Sequence, residues 1–144
     1  MLREIKSIPK ARSYSLATIN IKNLRLRTFI GFNPDERTKK QDVVLNIRIS
    51  YLPNPSVLDD EVESALNYKI ITKKVIQQVE EGRFLLLEKL VSDVLGTCSE
   101  HPDVMHASVT IDKPHALRFA ESVSLTLEYH NDYMQQYAPL EKVS

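Results

Sequence analysis

The chain has 144 residues, of which 42% are apolar and 26% are charged, and 19 basic residues balance 19 acidic ones. These values are typical of one globular domain, and zero net charge argues against a nonspecific nucleic-acid binder. No apolar run approaches the ~20 residues that a membrane span needs, and the charged N-terminus lacks the apolar segment of a secretory signal. Because Cys98 is the single cysteine, no internal disulfide can form, and we expect a cytoplasmic protein.

The residue types that bind metals are scattered along the chain. The histidines stand at positions 101, 106, 115 and 130, and neither they nor Cys98 show the spacing of a zinc site. We therefore expect no metal. We also expect three regions, which are an irregular N-terminal arm (1–14), a folded domain (15–130) and a polar C-terminal tail (131–144).

The first half of the domain alternates between apolar and polar residues in two places. Over residues 15–31 the alternation changes phase around Lys22 and Asn23, which predicts a long strand with a bulge. A glycine and a proline indicate that residues 31–41 form a loop. Residues 42–51 alternate without interruption, which predicts a second strand with one buried face.

The second half of the domain begins with a helical period. Apolar residues 3.6 positions apart predict one helix from Asn67 to about Gly82 and a second over about residues 83–100. Two further alternating segments, 104–112 and 121–129, predict the last two strands, which flank the segment KPHALRFA. The predicted order of elements is therefore β-β-α-α-β-β.

This order predicts an α+β fold, in which an antiparallel four-stranded sheet carries two helices on one face. The opposite face of the sheet is expected to be polar, and it faces either water or the lumen of an assembly. Its predicted residues are Asn46, Arg48, Ser50, Thr110, Thr126 and Glu128.

The second predicted helix carries a glutamate inside an apolar pattern, FLLLEKL. Helical spacing puts Glu88 on one face with Phe84, Val91 and Leu95. Burial of an unpaired carboxylate is strongly unfavourable, so two interpretations stay open. Either Glu88 reaches solvent or a neighbouring cation, or it lies at the floor of a pocket and accepts two N–H groups from a guanidine-like ligand.

Three other residues stand where side chains of their kind can perform acid–base chemistry. Glu36 lies in the predicted loop, Tyr68 begins the first predicted helix, and Lys113 ends a strand, where the following proline keeps it extended. A purely structural interpretation also stays open for each residue. These are a solvated loop acid, a core aromatic and an ordinary strand-end lysine.

Five segments together resemble the dihydroneopterin aldolase family. They are IKNLRLRTFIG (21–31), Gln41, ALNY (65–68), FLLLEKL (84–90) and DKPHALRFAESVS (112–124), so the resemblance covers about residues 17–130. Two of the stretches, LRLRTFIG and KPHALRFAESVS, are more similar to the epimerase branch of the family than to its aldolase branch. The aldolase branch typically has a glycine at the position of His115.

The resemblance implies the tunnelling fold (T-fold), in which four ββααββ subunits close a β-barrel and two such rings stack into an octamer. It implies a small dihydropterin, as the triphosphate, for a partner, with active sites at subunit interfaces and no cofactor, nucleic acid or membrane. The implied reaction inverts C2' of 7,8-dihydroneopterin triphosphate. The alternatives are an aldolase that releases glycolaldehyde and 6-hydroxymethyl-7,8-dihydropterin and, more remotely, a non-catalytic α/β binding module.

The resemblance also assigns roles to individual residues. Glu88 corresponds to the glutamate that anchors the pterin ring, and Leu87 beside it offers backbone contacts. Lys113, Tyr68 and Glu36 correspond to the catalytic acid–base residues, and in the family the tyrosine comes from a neighbouring subunit. The remaining candidates for substrate binding are Leu66 and, for the triphosphate, His115, Arg118, Arg25 and Arg27.

Overall fold

The computed structural model describes residues 15–132, so the predicted arm (1–14) and the tail beyond residue 132 lie outside the described residues. Within that range, no helix has both the length and the apolar composition to cross a membrane. Two 3-10 turns, Pro55–Asp59 and Val62–Ser64, join the second strand to the second helix. The elements are β1 (Ala17–Ile30), α1 (Pro34–Thr38), β2 (Gln41–Tyr51), α2 (Tyr68–Glu80), β3 (Arg83–Phe84), α3 (Leu87–Cys98), β4 (Val104–Pro114) and β5 (Ser122–His130).

The strands form one sheet in the order β3-β1-β2-β4-β5. The prediction of four strands is wrong by one, because Arg83 and Phe84 form a short strand parallel to the end of β1. These two residues were predicted to begin the second of the two long helices, but that helix is α3 and starts only at Leu87. The extended conformation is stabilised by the Gly31 N–H, which donates to the Phe84 carbonyl at 2.9 Å. The Arg83 guanidinium also lies 3.9 Å from the centre of the Phe29 ring.

The phase change in β1 is a β-bulge, as predicted. Pairing with β2 shifts register between Ile21 and Leu24, and Asn23 takes a left-handed φ of 53°. Asparagine tolerates this conformation, and the Asn23 N–H donates to Asn46 Oδ1 at 3.0 Å. Because of the bulge, the apolar side chains before and after it pack on the same side of the sheet.

The core lies between one face of the sheet and helices α2 and α3. Val43, Leu45, Ile47 and Ile49 of β2 are at most 2% exposed, which confirms the buried face predicted from their alternation. Each such side chain stabilises the fold by about 1.5–3 kcal/mol through burial. Cys98 also lies in this core, and burial raises the pKa of its thiol to about 12. The helices contribute Val75, Val79, Leu90, Val91 and Val94.

The other face of the sheet is polar, as the alternation predicts. Along β5, the side chains at 124, 126, 128 and 130 are exposed, whereas Leu125, Leu127 and Tyr129 pack against the core. Hydroxyl groups join neighbouring strands across this face, with Thr110 and Thr126 2.6 Å apart. A single chain therefore has one face covered by helices and one wetted face.

Candidate active site

An acidic and a basic side chain meet at the edge of the sheet where β1 ends and β2 begins. Lys113 Nζ donates to Glu36 Oε2 at 2.6 Å, and the two side chains are only 14% and 23% exposed. Neither side chain is therefore freely solvated, in contrast to the purely structural interpretations of Glu36 as a solvated loop acid and Lys113 as an ordinary strand-end lysine. A half-buried ion pair of this kind interacts more strongly than a surface pair, because water screens it less.

Glu36 is positioned by a helical turn that the sequence did not predict. The segment 31–41 was expected to be a loop, but Pro34 at the first helical position starts the short helix α1. Glu36 Oε1 accepts the N–H of Asn33 at 3.4 Å, as a glutamate does three residues after the cap in a capping box. The carboxylate is thus directed back towards the end of β1.

Two residues for which no role was predicted, Gln41 and Gly31, complete the surroundings of this carboxylate. Gln41 Nε2 donates to the Ile30 carbonyl at 2.6 Å and to Glu36 Oε2 at 3.4 Å. Gly31 has a φ of 125°, and a Cβ atom there would overlap the Glu36 carboxylate. Only glycine satisfies both the backbone conformation and the close approach. The signal in the sequence was a glycine directly after a long strand.

The ion pair determines the charge state of the acid. The hydrogen bond from Lys113 lowers the pKa of Glu36 below its ordinary value, and the bonds from Asn33 and Gln41 act in the same direction. Partial burial opposes them but does not prevail. Glu36 is therefore a carboxylate at neutral pH, and Lys113 beside it has a fixed negative partner.

Glu88 lies in the first turn of α3 and is exposed. The face that it was expected to share with Phe84 does not exist, since Phe84 belongs to β3 and precedes the helix. The neighbouring Lys89 pairs instead with Asp93 at 2.9 Å. Within residues 15–132, Glu88 thus has no hydrogen bond or ion pair. Strand β3, which precedes α3, is tied to the end of β1 by the Gly31 N–H, which donates to the Phe84 carbonyl.

The start of α3 also offers backbone donors. Leu86 provides no side-chain cap, and only the N–H groups of Lys89 and Leu90 reach back to its carbonyl, at 3.2 and 3.3 Å. The first N–H groups of a helix have no partner inside it, so those of Leu87 and Glu88 remain available in the described chain. A carboxylate beside free N–H groups can bind a ring edge that carries both donors and an acceptor.

Tyr68 and Leu66 lie at the opposite end of the sheet. They line a groove of about 520 Å³ together with Ile19, Ile21 and Tyr51. Tyr68 is half-exposed at the start of α2, so the interpretation as a core aromatic is wrong, whereas Leu66 is buried. Along β1, the nine residue-to-residue steps from Ile21 to Ile30 correspond to about 30 Å. Within one chain, the Tyr68 end and the Glu36–Lys113 end are therefore separate.

His115 and Arg118 lie in the exposed loop between β4 and β5. His115 follows Pro114 directly and has a left-handed φ of 63°, a conformation that costs a residue with a Cβ atom about 1–2 kcal/mol. The Arg118 guanidinium lies 5.5 Å from the centre of the Phe119 ring. Both residues follow Lys113 closely in the sequence.

The two strand arginines differ in their surroundings. Arg27 donates to Asp42 at 2.8 Å and to the Lys40 carbonyl at 3.0 Å, so its guanidinium is already engaged. Arg25 is exposed and has no such partner within residues 15–132. Of the two, only Arg25 is free to bind an anion without breaking an existing ion pair.

Within residues 15–132, the fold and the site together define a small α+β domain with a preformed acid–base pair near the end of β1 and an unpaired carboxylate in the first turn of α3. The chain matches the dihydroneopterin aldolase (FolB) family over residues 19–128. It belongs to the dihydroneopterin aldolase family.

Two relatives and one solved structure illustrate the range of similarity. The chain is 51% identical over 115 residues to dihydroneopterin triphosphate 2'-epimerase of Pseudomonas aeruginosa, which covers 80% of this chain and 94% of that protein. It is 27% identical over 112 residues to dihydroneopterin aldolase of Escherichia coli, with coverages of 78% and 92%. The crystal structure of the Escherichia coli aldolase in complex with neopterin is similar with a TM-score of 0.72 at 26% identity, covering 78% of this chain and 98% of that one.

The Glu36–Lys113 pair predicts a pH dependence of stability. Because the folded-state pKa of Glu36 is lowered from 4.5, its contribution is fully present above that value and is lost as the pH falls through the folded pKa. Lys113→Met removes the main cause of the shift. The difference in unfolding free energy between wild type and Lys113→Met, measured by urea denaturation from about pH 7 to about pH 3, should therefore shrink on acidification.

Lys89→Met is the matched control, because it breaks the exposed lysine–carboxylate pair with Asp93. This variant should follow the pH dependence of the wild type closely, since exposed pairs contribute little. A stability difference for Lys113→Met that stays constant over the whole pH range would contradict the assignment.

Proposed function

We propose that this chain is an isomerase that inverts C2' of 7,8-dihydroneopterin triphosphate to give dihydromonapterin triphosphate. The observation that carries this proposal is the much higher identity to the epimerase than to the aldolase, at similar coverage. The site described above has the acid–base pair and the free carboxylate that the reaction requires.

Glu88 anchors the pterin ring in this proposal. The ring presents its 2-amino group and N3–H as a guanidine-like edge, which matches a carboxylate as a bidentate pair. The backbone N–H groups of Leu87 and Glu88 are suited to the ring carbonyl next to that edge. The unpaired state of Glu88 within residues 15–132 supports this role, because a charge that is already paired would have to be released first.

The dihydropterin supplies its own electron sink, so the reaction runs without an added cofactor. Protonation of the C=N bond at N5 draws electrons from the side chain, as a protonated Schiff base does. Removal of the 2'-hydroxyl proton then breaks the C1'–C2' bond, which leaves an enaminol pterin and a phosphorylated glycolaldehyde. If the aldehyde turns over and C1' adds to its other face, C2' is inverted and the proton on N5 is released.

Lys113 delivers the proton to N5, either directly or through one water. Its ammonium group donates to Glu36 Oε2 at 2.6 Å, and this contact holds the ammonium group in a defined position. Tyr68 exchanges the proton of the 2'-oxygen, while Glu36 orients water and hydroxyl groups. Acid–base groups of this kind each contribute about 10²–10⁴-fold to the rate.

The aldolase reaction is the second candidate, and it shares every step up to bond cleavage. If the fragment leaves before it re-adds, C1' of the enaminol takes up a proton and N5 releases its own, so the products are 6-hydroxymethyl-7,8-dihydropterin and the aldehyde. Retention of the fragment therefore decides between the two outcomes, and the triphosphate is the part by which it can be held. His115 and Arg118 lie closest along the chain to Lys113 and are suited to that task.

Assembly completes the site in this proposal. Tyr68 and Lys113 lie at opposite ends of the sheet, so a second copy must bring its Tyr68 end to the Lys113 end. Two features support this arrangement. Exposed apolar side chains flank both ends, including Phe32, Leu86 and Ile70. In the described residues, the outer edge of β1 is paired only at Phe29 and Ile30, so β1 and β5 of successive copies can join into the barrel of the tunnelling fold.

Product analysis tests the reaction. The purified protein is incubated with 7,8-dihydroneopterin triphosphate, and the products are oxidised, dephosphorylated and separated by chromatography that resolves the epimers. We expect the threo product, monapterin, to exceed hydroxymethylpterin. Lys113→Met should lower kcat by about 10²–10⁴-fold, and Glu88→Gln should raise KM by about 10–100-fold because it weakens a charge-assisted pair.

Asp93→Asn serves as the control, since Asp93 is a carboxylate on the same helix that pairs with Lys89 away from the site. It should leave both constants near the wild-type values. A dominant hydroxymethylpterin peak would make the chain an aldolase. If Lys113→Met affected mainly KM and Glu88→Gln mainly kcat, the two roles would have to be exchanged.

Mixing of two inactive variants tests whether the site is shared. Tyr68→Phe and Lys113→Met are each purified, unfolded and refolded together in equal amounts. If Tyr68 and Lys113 act from different copies, random assembly gives about one quarter of the sites both native residues. Activity per site should recover to that level.

The control is the double variant, Tyr68→Phe with Lys113→Met, refolded with an equal amount of wild type. A shared site again predicts about one quarter of full activity, whereas a site within one chain predicts about one half. If the two single variants restored nothing when mixed, the shared site would be ruled out.

The variant His115→Gly tests whether the His115 side chain binds the triphosphate. Glycine takes the left-handed conformation of residue 115 without the cost to a Cβ-bearing residue, so the midpoint of thermal unfolding should stay the same or rise. The KM for the triphosphate should rise by about 10-fold, as expected for the loss of one charge-assisted hydrogen bond, with little change for dihydroneopterin itself.

Asp60→Gly is matched to this variant, because Asp60 has a left-handed φ of 66° in an exposed turn. It should give a similar thermal effect and no change in either KM. If His115→Gly left the preference for the triphosphate intact, His115 would have no part in holding it.

A further inference from the structure

Three side chains that can bind a metal converge on the polar face of the sheet. His106 is on β4, and Glu128 and His130 are two residues apart on β5, so both point to the same face. The register pairs His106 with His130, and their ring centroids are 4.7 Å apart. His106 Nε2 lies 2.9 Å and His130 Nε2 lies 3.7 Å from the same atom, Glu128 Oε1.

Two of these distances are close to those between the ligand atoms of a bound metal ion. The three ligand atoms all lie within 4.8 Å of one another. A tetrahedral zinc site with bonds of about 2.0–2.1 Å has ligand atoms roughly 3.3 Å apart. The two measured distances to Glu128 lie on either side of that value, so small side-chain rotations suffice. A metal ion would then take the place of the proton between His106 and Glu128.

We propose that His106, Glu128 and His130 form a binding site for a divalent transition metal, of which Zn²⁺ fits best. Two imidazoles and one carboxylate are ligands that zinc accepts with a fourth position open for water. Mg²⁺ prefers a shell made only of oxygen atoms and fits poorly. The side chains are 28%, 54% and 54% exposed in the order named, so an ion can enter from solvent.

This site is separate from the Glu36–Lys113 pair. His106 and Lys113 are seven residues apart on β4, which corresponds to about 23 Å, and odd spacing puts them on opposite faces of the sheet. The metal is therefore expected to play no part in proton transfer. It would instead join β4 to β5, where the Asn131 N–H already bonds to the Met105 carbonyl at 2.9 Å. The inference does not rest on the proposed epimerase activity.

The test is calorimetric titration of the metal-free, full-length protein with ZnCl₂, and with MgCl₂ for comparison. We expect one Zn²⁺ per chain and no saturable binding of Mg²⁺. Loss of one ligand in His130→Gln or Glu128→Gln should weaken the binding of Zn²⁺ by at least about 10-fold. Zn²⁺ should also raise the midpoint of thermal unfolding of the wild type, because it binds only the folded site, and this shift should be lost in both variants.

His101→Gln is the matched control, because His101 is an exposed histidine that lies 3.8 Å from Asp103, outside the cluster. It should bind Zn²⁺ like the wild type and show the same thermal shift. Unfolding midpoints without metal verify that all three variants fold. The proposal is wrong if the wild type binds no Zn²⁺, or if His130→Gln and Glu128→Gln bind it as tightly as His101→Gln. Turnover in the presence of a chelator should stay unchanged, so this result is independent of the test of the epimerase.

Discussion

The length of β1 is the constraint on which the rest of the structure depends. This strand has 14 residues. The Glu36–Lys113 pair lies near one of its ends, and the groove that Tyr68 lines lies near the other. Helix α2 runs back along it, since Tyr68 lies beside Ile21 and the Glu80 carboxylate reaches the Arg27 N–H at 3.4 Å. Because β1 keeps these two regions about 30 Å apart, the shared site proposed above depends on a second copy of the chain.

The sequence predicted those elements whose pattern is local and long enough to repeat. The bulge at Asn23 shows as a change of phase, and Asn67 starts α2 where its side chain accepts the N–H groups of Lys69 and Ile70. Strand β3 escaped prediction because two residues have no period, and its pairing with β1 depends on contacts far along the chain. The same holds for the proposed metal site, in which His106 meets Glu128 only through the register of two strands.

The individual residues of the site could be predicted from the sequence, but the contacts between them could not. Glu36 and Lys113 are 77 positions apart, so their ion pair could not be read from spacing, although resemblance to the family singled out each of them. Gln41 and Gly31 were quoted as part of that resemblance, yet their contacts with the Glu36 carboxylate became visible only in the fold. The close approach of Gly31 also explains physically why this position is a glycine.

Two carboxylates at one end of the sheet have opposite surroundings, and this difference divides their tasks. Glu36 is paired with Lys113 inside the chain, so its charge is already used to hold a cation in a defined position. In the part of the chain that the structure describes, Glu88 has no ion-pair partner, which suits the proposed role of binding a ligand that brings N–H donors. In the proposed reaction Lys113 already has Glu36 as its partner, so a second carboxylate is needed to hold the ring. Separate carboxylates allow the ring to be held and protonated at the same time.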